Sequence, residues 1–450
     1  MKKDTWAAVR SLTPTLAIYF SVGLSGLSAV ASTFFNKNNI SLTPTELISL
    51  GVWTGLPWSI KMVFGAVIDT VKKRQFVVYA GAASMVLALL TVIDHASFRT
   101  IFNTIGEYNG LLISGLLSSI GIVLCDIVAD TLSIEVPKEY IARAQIWARA
   151  AQASGAVVGA ALCGVLATHL SMAHVFALEL ICPILALIAT FMSSMRPVET
   201  AAPNFTLIKQ GIGYAIICIG CGFIPYGQEV LFFLSLCVIS FMLKGLLPHI
   251  SEKRLFVTTL AALFLFRCSP GFGPAMSWWQ ISALGFDESF MGTLRITGTI
   301  SGLVILASLS KIIVKSSVLI TLTALAALDI ILSTPHILIF YNLLPFDPRH
   351  VVLVDNVASA AIASLSMIPM GILIADAAPK QYRAAYMTVT ASLMNIALVG
   401  GDLISKKVNA WLPVSRVDFS NLGGIMVTSL AIGAVLSAIG ISLLAIPRKP

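Results

Sequence analysis

Charge is scarce in this chain. Asp, Glu, Lys and Arg make up 11% of its 450 residues, against about 25% in soluble domains. With 57% hydrophobic residues and a mean hydropathy of +0.91, a water-soluble domain is excluded and a polytopic membrane protein is expected. Catalytic signatures are missing too. There is no G-x-x-x-x-G-K-[ST], no H-E-x-x-H and no nucleophile beside a base. The six histidines, His95, His169, His174, His249, His336 and His350, all fall near expected helix ends or loops. No enzyme and no cofactor are expected. The seven cysteines are odd in number and sit within apolar runs; Cys218 and Cys221 form a CxxC with no second pair or histidine nearby. They read as packing residues, with no metal and no disulfide framework. The net charge of +8 is no nucleic-acid signal, because bases in a membrane protein collect in cytoplasmic loops and face anionic lipid.

Long apolar runs are what the chain has in abundance. A spanning helix needs about 20 mostly apolar residues. Such runs occur near 11–35, 45–70, 75–94, 108–134, 145–169 and 174–195, then as a short hairpin at 207–223 and 228–248, then near 255–280, 288–310, 316–335, 351–376, 385–405 and 422–446. The expected fold is all-α, with two six-helix bundles and a central two-helix hairpin. That makes fourteen helices, or twelve if the hairpin does not cross. The corresponding segments are 1–200, 201–250 and 251–450. Residues 1–31 imitate a signal peptide, but the runs that follow favour an uncleaved first helix. With both termini cytoplasmic, inner loops and tails hold nineteen Lys and Arg against six in outer loops. This is a positive-inside bias, expected of a multi-pass protein of the cell (inner) membrane. Removing the hairpin leaves the parity unchanged.

Two six-helix halves resemble the parallel repeats of major facilitator proteins. PKEY at 137–140 and PKQY at 379–382 echo one another, each after an aspartate (Asp130, Asp376) and before an arginine. Four longer segments carry a closer likeness, in order along the chain. They are GLPWSIKMVFGAVIDTVKKR (55–74), DIVADTLSIE (126–135), FRCSPGFGPAMSWWQISALGFDESFMGTLRITGT (266–299) and DNVASAAIASLSMIPMGILIADAAP (355–379). Together they resemble the folate–biopterin transporter family. The resemblance implies a major-facilitator-like carrier of folates or pterins, often proton-coupled. This chain departs from the family pattern at Asp355-Asn356, where two acids are common, and in a shorter loop after helix two.

Four bases lie inside expected helices: Lys61, Arg149, Arg267 and Arg295. An ionised group in the bilayer costs about 2.5–3.5 kcal/mol on insertion scales, so it needs a partner or a water-filled cavity. Lys61 stands about 24 Å along helix two, and Arg267 is near the middle of its helix. The expectation is that Lys61 and Arg267, with Arg295, attract an organic anion; the competing reading pairs them with buried acids. Asp126 and Asp130 are one turn apart and share a helix face. Two such carboxylates resist joint ionisation in low dielectric, so the pair is expected to carry a proton, to bind an amino-pterin ring, or to pair with Lys61 or Arg149. Asp355 reads as a helix N-cap that the family resemblance makes a substrate candidate. Asp329 and Asp402 read as packing residues.

Asp69 with Lys72 and Arg74 follows a Gly-x-x-x-Asp-x-x-basic pattern from Gly65 and is expected to gate the inner side. Residues 269–274, Ser-Pro-Gly-Phe-Gly-Pro, cannot form a regular helix, and broken helices mark binding sites in transporters. Trp58 and Trp278 are the candidates for stacking on a flat ring; Trp279 reads as part of an interfacial belt. The expected function is secondary active transport of folate- or pterin-type organic anions by alternating access, as proton symport, with membrane lipid as the surrounding partner. The alternatives are another organic anion, a nucleoside-like metabolite, or multidrug export.

Overall fold

A computed structural model describes the chain apart from residues 1, 60, 62–63, 65–67, 69–70, 135–140, 193–208, 210–212, 215, 219, 251, 367–372, 374–382 and 446–450. The described residues form helices and connecting loops, with no strand among them. The first helices are α1 (Lys2–Leu24), α2 (Ala29–Asn38), α3 (Pro44–Ser59), α4 (Gln75–Ser97), α5 (Thr100–Ile105), α6 (Glu107–Ile134), α7 (Ile141–His169), α8 (Met172–Glu179) and α9 (Ile181–Met192). After them come α10 (Gly227–Leu246), α11 (Lys253–Arg267), α12 (Pro274–Ser282), α13 (Glu288–Lys315), α14 (Val318–Phe340), α15 (Pro348–Leu365), α16 (Arg383–Trp411) and α17 (Leu422–Ala445). Nine stretches among the described residues are long and apolar enough to cross a membrane. The expected helices at 45–70, 207–223 and 351–376 run through residues outside the described set, so fourteen is neither reached nor excluded. Asp69 and both Pro-Lys-x-Tyr echoes also lie outside it.

Local chemistry explains where the helices start and break. Thr43 and Glu46 cap α3 reciprocally: the Thr43 amide donates to Glu46 Oε2 at 2.8 Å, and the Glu46 amide to Thr43 Oγ1 at 3.3 Å. Glu107, at the start of α6, accepts from the Ser41 amide at 2.7 Å and from Arg99 at 2.9 Å, and lies 3.0 Å from His95 Nε2. An acid there also meets the positive end of the helix. The expected helix at 255–280 is broken where the Ser-Pro-Gly-Phe-Gly-Pro run predicts. The chain leaves α11 after Arg267, passes Gly273 at φ +74°, and re-enters a helix at Pro274. Two breaks were not expected. The first span is interrupted between Leu24 and Ala29, and the run at 174–195 divides at Leu180 into α8 and α9.

Two expectations are corrected. Asp355 is not a helix N-cap: α15 starts earlier, at Pro348, and Asp347 takes the cap by accepting from the Arg349 amide at 2.8 Å. The Asp-Pro pair supplies both the cap oxygen and a first residue whose missing N–H costs nothing. His336 is not at a helix end: α14, capped by Ser317, runs through Pro335 to Phe340. The helix continues past a proline that would stop it in water, as membrane-spanning helices tolerate.

The chain divides into two compact units that do not follow sequence order. The first comprises Met1–Ser41, Ile60–Ile219 and Glu288–Ile296; the second comprises Leu42–Ser59, Gly220–Asp287 and Thr297–Pro450. In the first unit, the start of α13 lies directly on α7. A Cβ on Gly164 would come within 2.7 Å of Gly292 Cα, so only glycine permits that approach. In the second unit α3 packs on α16, where Asn395 Nδ2 donates to the Trp58 carbonyl at 3.2 Å. α10 is tied to the same pair: Gln228 Nε2 donates to the Ser49 carbonyl at 2.8 Å, and its Oε1 accepts from Lys406 at 2.7 Å. Lys407 pairs with Glu229 at 2.9 Å.

Candidate functional site

The first unit gathers a charged cluster from four helical segments. Asp126 and Asp130 project from one face of α6, as their spacing requires. Lys61, just beyond α3, donates from its ammonium to both carboxylates. Tyr19 of α1, itself buried, donates its hydroxyl to the other oxygen of Asp130. Arg149 of α7 lies over the Tyr19 ring, 5.6 Å from its centroid, and bonds Gln152 at 3.1 Å. Lys61 thus pairs with both acids of α6 in this arrangement.

Exposure within the cluster is graded. The Asp126 side chain is 11% exposed, Lys61 20% and Asp130 42%. Asp130 is thus the open end of a network whose other members are held in protein. Two carboxylates and two cations balance in formal charge, which lets ionised groups persist away from bulk water. An incoming ligand with N–H donors can meet Asp130 without first dismantling the Lys61–Asp126 pair.

The remaining candidates divide between the units. Arg295 belongs to the first, where it is exposed and lies beside Gly26 in the break of the first span. The buried Glu179, at the break between α8 and α9, is near enough to feel its charge and bonds Ser28. Lys72 is exposed and Arg74 is buried at the foot of α4. In the second unit, Arg267 ends α11 half-buried, with its Nε directed at the Met394 carbonyl 3.5 Å away. Trp58 is half-buried on α3. Trp278 is only 2% exposed, and the Arg416 guanidinium lies 5.0 Å from its ring centroid, so a protein cation occupies a face of that ring. Trp279 is buried as well, against Phe340 at 5.6 Å. That placement replaces the interfacial belt expected for Trp279. Asp355 is buried on α15 facing His336.

Sequence reasoning missed Tyr19, Glu179 and His336. Tyr19 is one of nine tyrosines, and nothing in its neighbours marks it. Glu179 could have been found as a lone acid in an apolar run. His336 was hidden by Pro335, which reads as a stop.

Comparison with known proteins fits this architecture. The model of the BT1 family matches residues 22–448. The chain belongs to the BT1 family. One relative of this BT1-family chain is the folate-biopterin transporter of Synechocystis sp. (strain ATCC 27184 / PCC 6803 / Kazusa), 24% identical over 425 residues, which span 90% of this chain and 76% of the relative. Among solved structures, a POT family transporter in complex with 5-aminolevulinic acid aligns with a TM-score of 0.69 at 12% identity, covering 97% of this chain and 96% of that one. An auto-inhibited POT family peptide transporter aligns at 0.65 with 10% identity, covering 98% and 97%. At such identities these likenesses show the fold, that of major-facilitator-type transporters. The BT1-family chain is accordingly a multi-pass membrane transporter.

Proposed function

We propose that this protein carries folate- or pterin-type organic anions across the cell (inner) membrane by alternating access, coupled to protons, with both termini cytoplasmic. The observation that carries the reading is the Lys61–Asp126–Asp130 network within a chain whose relative is a folate-biopterin transporter. A pterin ring presents amino and ring N–H donors along one edge. Asp130, with 42% of its side chain open, supplies a carboxylate acceptor for that edge, and a charge-assisted bond there is about twice as strong as a neutral one. As the ring engages Asp130, Lys61 is left to Asp126 and to any anionic group the ligand brings. In the second unit, Arg267, whose fork can hold both oxygens of a carboxylate, and Trp58 are the proposed anion and aromatic contacts.

Asp69, Lys72 and Arg74 are assigned to holding the inner side closed in one state of the cycle. The segments 1–200 and 251–450 are the proposed repeats, with 201–250 as an insertion between them.

The test is competitive uptake into reconstituted vesicles, with folate, reduced folate, biopterin and a nucleotide as competitors. Competition by the pterin-bearing compounds but not by the nucleotide is the expected result. Equal competition by the nucleotide overturns the substrate class. Arg267→Ala should abolish uptake of the anionic compounds; transport that survives it intact would point to a neutral or cationic substrate.

A further inference from the structure

The second unit holds a polar group that the transport reading leaves unused. Pro335 deprives the Ile331 carbonyl of its usual amide donor and loosens α14 at that point. The next residue, His336, turns its ring toward α15 and places Nδ1 3.5 Å from Asp355 Oδ2. The two side chains are 12% and 9% exposed. His336 Nδ1 and Asp355 Oδ1 each lack a hydrogen-bond partner among the described residues. Unsatisfied polar atoms inside a helix seam are costly, and each requires an explanation.

The groups around the pair narrow the explanation. Asp329, two turns earlier on α14, is close enough to repel Asp355, and Ser359 lies within reach of the carboxylate. From α13, Thr297 meets Asn356 rather than Asp355, at 3.4 Å. From α11, the Arg267 Nε is aimed at the Met394 carbonyl of α16. α17 carries no ionisable side chain between 422 and 445. Phe272, from the broken segment before α12, closes one side with its ring 6.4 Å from that of His336. Asp355, with Asp329 near it, thus faces an imidazole, the basic side chain that changes charge between about pH 5 and 8.

We propose that His336 and Asp355 form a proton-binding pair, the site in the second unit where the coupling proton is taken up and given back. Uptake of one proton turns a neutral imidazole and a carboxylate into an imidazolium–carboxylate pair, in which the orphaned Nδ1 donates to Asp355 Oδ2. Release to water restores them, and no other bond changes. The first-unit cluster is less suited to this, because its carboxylates are already answered by Lys61. The coupling role rests on the carrier reading above; the proton site itself does not.

Two measurements on the full-length protein in lipid test it. The first needs no substrate: infrared difference spectra between pH 5 and pH 8. Imidazolium bands, with a shifted Asp355 carboxylate stretch, should appear on going to pH 5; both should be lost in His336→Gln, and the carboxylate shift should be lost in Asp355→Asn. Spectra unchanged by both variants overturn the proposal. The second is pterin uptake with and without an inside-alkaline gradient. In His336→Gln the ratio of the two should fall to unity, while exchange of external for internal substrate, which needs no net proton movement, continues. Full gradient stimulation in His336→Gln overturns the coupling role even if the infrared signal is present. If the wild-type protein takes up no pterin, the substrate reading fails, and the infrared arm still decides the proton site.

Discussion

In the first unit Asp126 and Asp130 share the Lys61 ammonium, with Arg149 close by; in the second, Asp355 and Asp329 have a histidine. Both clusters place two acids among apolar helices. The first answers its acids with permanent cations, and the ion pairs to Lys61 hold its members in place. The second sets Asp355 against an imidazole, the side chain whose ordinary titration range spans neutrality. The lesson is that buried acids in a carrier differ less in burial than in what answers them. A fixed cation holds its acids by ion pairing, whereas an imidazole can take up or release a proton.

This comparison can be broken most directly at Lys61. Lys61→Ala strands two carboxylates on one face of α6 and should cost about 3 kcal/mol, read as a clear fall in the unfolding temperature of the purified protein together with loss of uptake. Adding Asp126→Asn to that variant should restore much of the stability; if the single variant is as stable as wild type, the network is not holding the helices. Next in size, Asp126→Asn alone removes one acceptor from Lys61 and should cost about 2 kcal/mol. Asp355→Asn should cost less than about 1 kcal/mol or stabilise, because it removes a charge that no fixed cation answers. Equal losses from the two Asp→Asn changes would erase the distinction between the clusters. A small effect is expected of Tyr19→Phe as well. It removes one hydrogen bond to a carboxylate that is 42% exposed and should cost about 1 kcal/mol, with a larger change in apparent substrate affinity than in maximal rate if Tyr19 only holds Asp130 in place.

Much of this architecture was legible before any coordinates. Helical spacing alone puts Asp126 and Asp130 on one face, and the low charge content marks Lys61 and Arg267 as residues that need a reason. The break after Arg267 follows from two prolines and two glycines within six residues, and it appears where that run lies. The misreadings at Asp355 and His336 share a physical cause. Both positions were judged by local signals, an acid before an apolar run and a proline before a histidine. Local signals lose when a helix must keep its backbone paired in hydrocarbon, because an unpaired backbone there costs more than a strained turn.

Residue order and composition were enough to make this chain a helical membrane protein, to mark which residues are too polar for their surroundings, and to bring out the family it resembles. Each of these follows from composition, period or order along the chain. Only the tertiary structure decided that Lys61 answers Asp126 and Asp130, that Tyr19 joins them, that α3 packs with the second unit, and that His336 meets Asp355. Those pairings join residues from separate helices, and helix period says which face a side chain occupies but not which helix lies opposite it.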